Sequence, residues 1–311
     1  MSISQASPNA ASPHSAPADG TGGEILDERE TRYRLHRRFD RIGRLVGDDA
    51  MERLFRAHVM VIGLGGVGSF AVEALARSGV GTLTLVDFDR VCVTNANRQI
   101  QAVQGTIAKQ KAHVLAERAR LINPQATVRP LPVFYSERTS DALLAVEPDF
   151  VVDAIDNIKA KCHLLATCKA RGIPVVCSTG ASGRMDPTAL RVVDLAETRI
   201  DPLADAVRRI LRQKYGFPPK GPFGIPAVYS SEHPREPEAL HYDGGEGFHC
   251  VCPGGKNEFH SCEERPVIWG TAGFVTGAFG LTCASVVVKA LVENAGPPIA
   301  RSGGAAKADP A

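Results

Sequence analysis

A chain of 311 residues, 44% hydrophobic and 23% charged, carries enough apolar material for one large core or two modest ones. Its formal net charge of +2 argues against a protein that coats nucleic acid by bulk charge alone, leaves room for a local basic patch and excludes no partner class. Eight cysteines in a chain that does not open with a basic start and an apolar run point to free thiols in a reducing compartment, so the cytoplasm is expected.

Residues 1–29 are rich in Ser, Ala, Pro and Gly and are read as a disordered tail, as are residues 295–311. The folded domain is expected at 30–294, with a nucleotide-binding part at 58–185 and a C-terminal part at 186–294. In the first part, Val- and Ile-rich runs alternate with helical patterns, the mark of a parallel sheet with crossover helices. Strands are predicted at 58–62, 82–87, 127–134, 149–153 and 174–178, and helices at 69–78, 109–122 and 159–171. The rhythm then changes to a strand at 189–195 leaving the parallel sheet, and a helix at 202–215 opened by Asp201-Pro202. A Pro- and Gly-rich loop at 216–266 holds one strand at 225–231, and a last helix follows at 269–293. The expected fold is α/β and Rossmann-like: a mostly parallel sheet flanked by helices, with a C-terminal antiparallel extension and a long loop.

The glycine turn Gly63-Leu-Gly65-Gly66-Val-Gly68 follows the first strand and opens the first helix of this sheet. Such a turn lets backbone N–H groups approach a phosphate. By itself it is weak evidence; with Asp87 ending the second strand, 19 residues past Gly68, it becomes a good adenosine site, because a carboxylate there can accept both ribose hydroxyls. NAD would use the same geometry. The discriminators are Arg98 and Lys111, on the segment returning past the phosphate crevice, and Asp153 and Asp156, at the end of the fourth strand, which could hold Mg²⁺ through waters and phosphate oxygens. Any one of these is equally readable as a solvated charge or a local salt bridge. Taken together they form a phosphate-cleaving constellation.

Val-Ile-Gly-Leu-Gly-Gly-Val-Gly-Ser, Leu-Val-Asp87-Phe-Asp89, Asn95-Ala-Asn97-Arg98-Gln, Lys111 and Asp153-Ala-Ile-Asp156-Asn157 resemble, in order and spacing, the ubiquitin-activating-like superfamily of adenylating enzymes. Within it, Arg38-Phe-Asp-Arg41, the run from Val91 to Ile100, Gly183-Arg-Met-Asp-Pro-Thr and Asp201-Pro-Leu resemble the tRNA threonylcarbamoyladenosine dehydratase family. The resemblance implies ATP as cofactor, with Gly63, Gly65, Gly66, Gly68, Asp87 and Asp89 around the nucleoside and Asn95, Arg98 and Lys111 on the phosphates. It implies Mg²⁺ on Asp156, with Asp153 beside it, and leaves room for a monovalent cation. An arginine before the first strand, matched here by Arg41, would reach the partner's ATP across a homodimer. The reaction implied is adenylation of the threonyl carboxylate of threonylcarbamoyladenosine beside the tRNA anticodon, then ring closure with loss of AMP. Adenylation of the C-terminus of a ubiquitin-like or sulfur-carrier protein is the alternative, and sulfur-transfer proteins are conceivable partners.

Three features lie outside this match. Cys250, Cys252 and Cys262, with His249 or His260, could hold zinc, but the spacing lacks paired Cys-x-x-Cys motifs and free thiols are the expectation; Cys262 is the candidate functional thiol. Arg208, Arg209, Arg212 and Lys214, with Lys220 beyond, form either a solvated helix face or a tRNA phosphate patch. Residues 267–288 are uncharged over 22 positions; their Gly, Ala and Thr content favours a helix buried in the core or at a dimer interface over a membrane span.

Overall fold

The computed structural model of the protein describes residues 28–241, 251 and 267–293. Helix α1 (Glu28–Arg38) is a unit of its own, with Glu28 and Glu30 in its first turn and His36, Arg37 and Arg38 in its last, the charge order that suits a helix dipole. It begins two residues inside the expected tail. The second unit starts at Phe39 with α2 (Asp40–Val46) and α3 (Asp48–Arg56), joined at Gly47, where φ is +84°.

A seven-stranded sheet follows: β1 (His58–Ile62), β2 (Thr82–Val86), β3 (Thr127–Leu131), β4 (Phe150–Asp153), β5 (Val175–Ser178), β6 (Leu190–Asp194) and β7 (Pro226–Ser230), in the order β3-β2-β1-β4-β5-β7-β6. All pairs are parallel except β6 with β7. The crossovers are α4 (Gly68–Arg77), α5 (Lys111–Ile122), α6 (Glu137–Leu144) and α7 (Ile158–Arg171), with α8 (Pro202–Lys214) and α9 (Gly273–Glu293) in the C-terminal part. β1, β4 and β5 are buried along their whole length, as their unbroken apolar runs require, whereas β3 lies at an edge, where Pro130 is tolerated. From β1 the chain builds outward to β2 and β3 on one side, then to β4 and β5 on the other. The switch between those directions, at the carboxyl ends of β1 and β4, is where such sheets bind ligands.

α9 is long and apolar enough to cross a membrane by length and composition, yet its small residues are spent inside this chain. A Cβ on Gly280 would stand 2.3 Å from Val67 O, one on Gly277 3.3 Å from the Phe70 ring, and one on Gly273 2.4 Å from Asn97 O. This glycine stripe lets α9 lie directly on α4 and on the loop carrying Asn97. Phe274 and Leu281 point away and are exposed.

Candidate active site

Gly63 follows β1 with φ of +88°, and a side chain there would meet Ala154 O, in the loop after β4, at 2.5 Å. Gly68 sits so close beneath that its Cβ would lie 1.8 Å from Gly63 O. Gly65 is different: the nearest atom is the Gln99 amide, at 3.9 Å. Two glycines thus allow the turn to close and Gly65 leaves its backbone open to a ligand, while Gly66 rests against Thr276 of α9, 3.1 Å from its would-be Cβ.

The carboxylate ending β2 braces the turn. Asp87 Oδ2 accepts the Leu64 N–H at 2.7 Å and Oδ1 accepts the Asp89 N–H at 2.8 Å. Lys111, at the start of α5 and 5% exposed, donates from Nζ to Asp89 Oδ2 at 2.9 Å. Burial alone would lower the Lys111 pKa, but Asp87, Asp89 and Asp156 outweigh it and hold the pKa above its ordinary value, so the ammonium stays charged. Burial pushes the Asp87 carboxyl up, with Lys111 pulling against it. A buried cation and an exposed carboxylate, Asp156, thus lie within electrostatic reach of each other.

In the neighbouring loop, Asn95 and Arg98 bond within the loop itself. Asn95 is buried, and its Oδ1 accepts the Cys92 N–H at 3.0 Å, closing a single 3-10 turn. Arg98 is half-buried and donates to Thr94 O and Asn97 Oδ1, each at 2.9 Å. Arg41 is exposed on α2.

A family model for ThiF matches residues 39–303. The chain belongs to the ThiF family. The tRNA threonylcarbamoyladenosine dehydratase of Escherichia coli is 39% identical to it over 260 residues, 83% of this chain and 94% of that protein. The enzyme of that name from Haemophilus influenzae is 50% identical over 197 residues, 63% of this chain and 76% of its own. A crystal structure of the E. coli enzyme in complex with ATP matches with a TM-score of 0.71 at 37% identity, covering 83% of this chain and 95% of that one.

Within this ThiF-family fold, several expected residues stand elsewhere than their spacing suggests. Asp153 is not beside Asp156 at the crevice: it is fully buried, 2.7 Å from Lys161 Nζ, the cation that pairs with it in the core. On α8, Arg208 donates to Thr198 O and Asp205, and Arg212 donates to Pro218 O and lies over the Phe223 ring, so both serve the fold; Arg209 and Lys214 remain exposed. Cys250, Cys252, Cys262, His249 and His260 lie outside the described residues. Among the described residues no group of three His, Cys, Asp or Glu side chains is placed to hold a metal ion. Cys92, Cys162, Cys168, Cys177 and Cys283 are buried, and burial pushes the Cys162 thiol to about 11 and those of Cys168 and Cys283 to about 12, which keeps them protonated and inert.

The small residues of the last helix were read as a sign of close packing, but not as the wall that α9 and the segment before it supply to the nucleotide loop. Asn97 Nδ2 donates to Thr271 O at 2.9 Å, and Gly183 N donates to Gly270 O at 2.8 Å, so the segment before α9 ties the nucleotide loop to the loop after β5. Gln101 Nε2 donates to Leu64 O at 2.8 Å inside the glycine turn. The Gly273, Gly277 and Gly280 spacing was the available signal, a helical stripe of small residues that demands a backbone close by. Arg184 and Asp201, quoted above as two separate motifs, form a buried ion pair at 3.1 Å, and Asp201 also caps α8 through Ala204 N.

Proposed function

We propose that this protein is an ATP-dependent tRNA threonylcarbamoyladenosine dehydratase. What carries the reading is the extent of the likeness, 94% of the length of the E. coli dehydratase rather than its nucleotide half alone. The chain also has no Cys-x-x-Cys pair, which disfavours activation of a sulfur carrier.

ATP would lie with its ribose on Asp87 and its phosphates over Gly65 and Gly66 at the N-terminus of α4. The threonyl carboxylate attacks the α-phosphorus, the bond to the β-phosphate breaks, and pyrophosphate leaves. Negative charge grows on that leaving group, and the buried Lys111 ammonium together with Arg98 absorbs it without solvent reorganisation. The Arg98 bonds to Thr94 O and Asn97 Oδ1 both come from Nη1 and steady the guanidinium beside the turn. A carbamoyl nitrogen then attacks the acyl-adenylate, closes the hydantoin ring and expels AMP, a step that needs positioning and no protein nucleophile.

Mg²⁺ fits the exposed Asp156, since this ion is commonly held by one carboxylate plus waters and phosphate oxygens. When bound it neutralises phosphate charge. Asp153, neutralised by Lys161 in the core, has no part in holding it. Arg41 is exposed on α2 and so accessible to a second copy, as a homodimer in which Arg41 completes the partner's site requires.

The deciding experiment is mass spectrometry of tRNA nucleosides after incubation with protein and ATP. Threonylcarbamoyladenosine should lose one water, and Lys111→Ala or Asp156→Ala should slow that loss by about a hundredfold or more, leaving a measurable residual rate. Unmodified nucleoside with the wild-type protein, or full activity in both variants, would overturn the proposal. Arg41 has its own test: mixed dimers of Arg41→Ala and Lys111→Ala chains carry one intact site and should regain about a quarter of wild-type activity on random pairing, whereas a cis-acting Arg41 would give none.

A further inference from the structure

The turn between β4 and α7 holds the backbone of Ile155 on both its sides. Asp153 Oδ1 accepts the Ile155 N–H at 3.1 Å, and Lys161 Nζ donates to Ile155 O at 2.9 Å while pairing with Asp153 Oδ2 at 2.7 Å. Lys161 is 1% exposed, the largest of the fully buried side chains. Asp156 is the next residue along. Beyond it Asn157 is tied to the first turn of α7, its Oδ1 accepting from Ala160 N at 3.0 Å and its backbone oxygen from Lys161 N at 2.9 Å. On the other side Ala154 N donates to Ile62 O at 2.9 Å, and Ala154 O presses on Gly63. Every residue flanking Asp156 is therefore anchored, and the anchor nearest to it is a buried lysine.

We infer that Lys161 is a positioning residue for Asp156, fixing the backbone that aims this carboxylate at the phosphate crevice and at Lys111. A buried ion pair is a costly way to brace a turn, and apolar side chains of similar volume at both 153 and 161 would pack the same core at least as well. What such side chains lack is a donor for Ile155 O. Groups that hold ligating carboxylates in place typically change activity by about 10- to 100-fold when removed. The inference rests on the role proposed above for Asp156.

The test compares Lys161→Met, the double variant Asp153→Asn/Lys161→Met, Asp156→Ala, and Asp156→Ala/Lys161→Met by pyrophosphate release with modified tRNA. Asp153→Asn/Lys161→Met removes both charges, so it keeps the experiment interpretable should Lys161→Met alone fold poorly. Both Lys161 variants should lose kcat by about 10- to 100-fold per folded molecule with KM for ATP little changed, and amide exchange at residues 155–157 should quicken. In the Asp156→Ala background the Lys161 change should cost nothing further. Wild-type kcat in Asp153→Asn/Lys161→Met, or the same fold-loss with and without Asp156, would refute the positioning role. Wild-type turnover in Asp156→Ala alone would instead remove the reading of Asp156, and the inference with it.

Discussion

Gly65 and Gly68 belong to one turn, yet alanine at each should fail differently. A Cβ on residue 68 would stand 1.8 Å from Gly63 O, far inside the ~3.5 Å of an ordinary contact, and Gly63 cannot yield because its N–H is bonded to Val86 O at 2.9 Å and its Cα faces Ala154 O. Overpacking of this kind costs about 1–3 kcal/mol and more where backbone must move. At about 3 kcal/mol the Tm of Gly68→Ala should fall by roughly 6–12 °C. Gly65→Ala meets only the Gln99 amide at 3.9 Å, so its Tm should stay within roughly 2 °C of wild type. The same methyl stands where the backbone must approach phosphate, and ATP affinity should fall by about tenfold or more. Differential scanning fluorimetry and titration calorimetry separate the two effects. The reasoning is refuted if Gly65→Ala is as thermolabile as Gly68→Ala, or if it binds ATP like wild type.

Glu73 accepts from Arg118 at 2.6 Å and Arg77 at 2.8 Å; burial works to raise its pKa, and the two guanidiniums outweigh it, leaving the pKa below its ordinary 4.5. Its stabilisation is therefore present above that value and lost as pH falls through the lower folded value, so Glu73→Gln should be less stable than wild type in urea at pH 7, with the gap closing as pH falls below 4.5. On α8, Arg209→Glu/Lys214→Glu should weaken tRNA binding in a filter assay at unchanged Tm, whereas Arg208→Ala should lower Tm; unchanged tRNA affinity would remove this face from the tRNA surface. Gly280→Val drives a side chain into Val67 O, 2.3 Å from the Cβ position, and should lower Tm by several degrees, while Phe274→Ser on the exposed side of α9 should not.

The parallel sheet was legible because buried strands are unbroken apolar runs: the predicted strand at 58–62 is β1 residue for residue, and 174–178 is β5 but for its first position. α2, α3 and α6, of 7, 9 and 8 residues, went unread, since two turns are too few to establish a period against the surrounding polar sequence. The strand within the long loop was found but its place was not; insertion of β7 between β5 and β6 is a non-local choice that no local pattern encodes. The same limit governs the site. Asp153 and Asp156 look alike as carboxylates at a strand end, and only the position of Lys161, eight residues past Asp153, decides that one is core and the other crevice. Arg208 and Arg212 were separable from Arg209 in principle, for they flank the buried Val207 and Leu211.

The glycine turn is held from three directions by segments far apart in the chain: Ala154 after β4, the Asp87 carboxylate after β2, and Thr276 with the start of α9. No local element forms the seat proposed for the phosphates alone, so that seat exists only when the sheet and the last helix are in place. ATP that binds this assembled turn and not the unfolded chain must stabilise the whole unit, by about 2.7 kcal/mol at a hundredfold excess over Kd. Loosening α9 through Gly280→Val should then weaken ATP binding although no atom of residue 280 reaches the nucleotide. Unaltered affinity in that variant would mean that β1, β2 and β4 hold the turn without α9, and that Thr276 merely rests on a structure already complete.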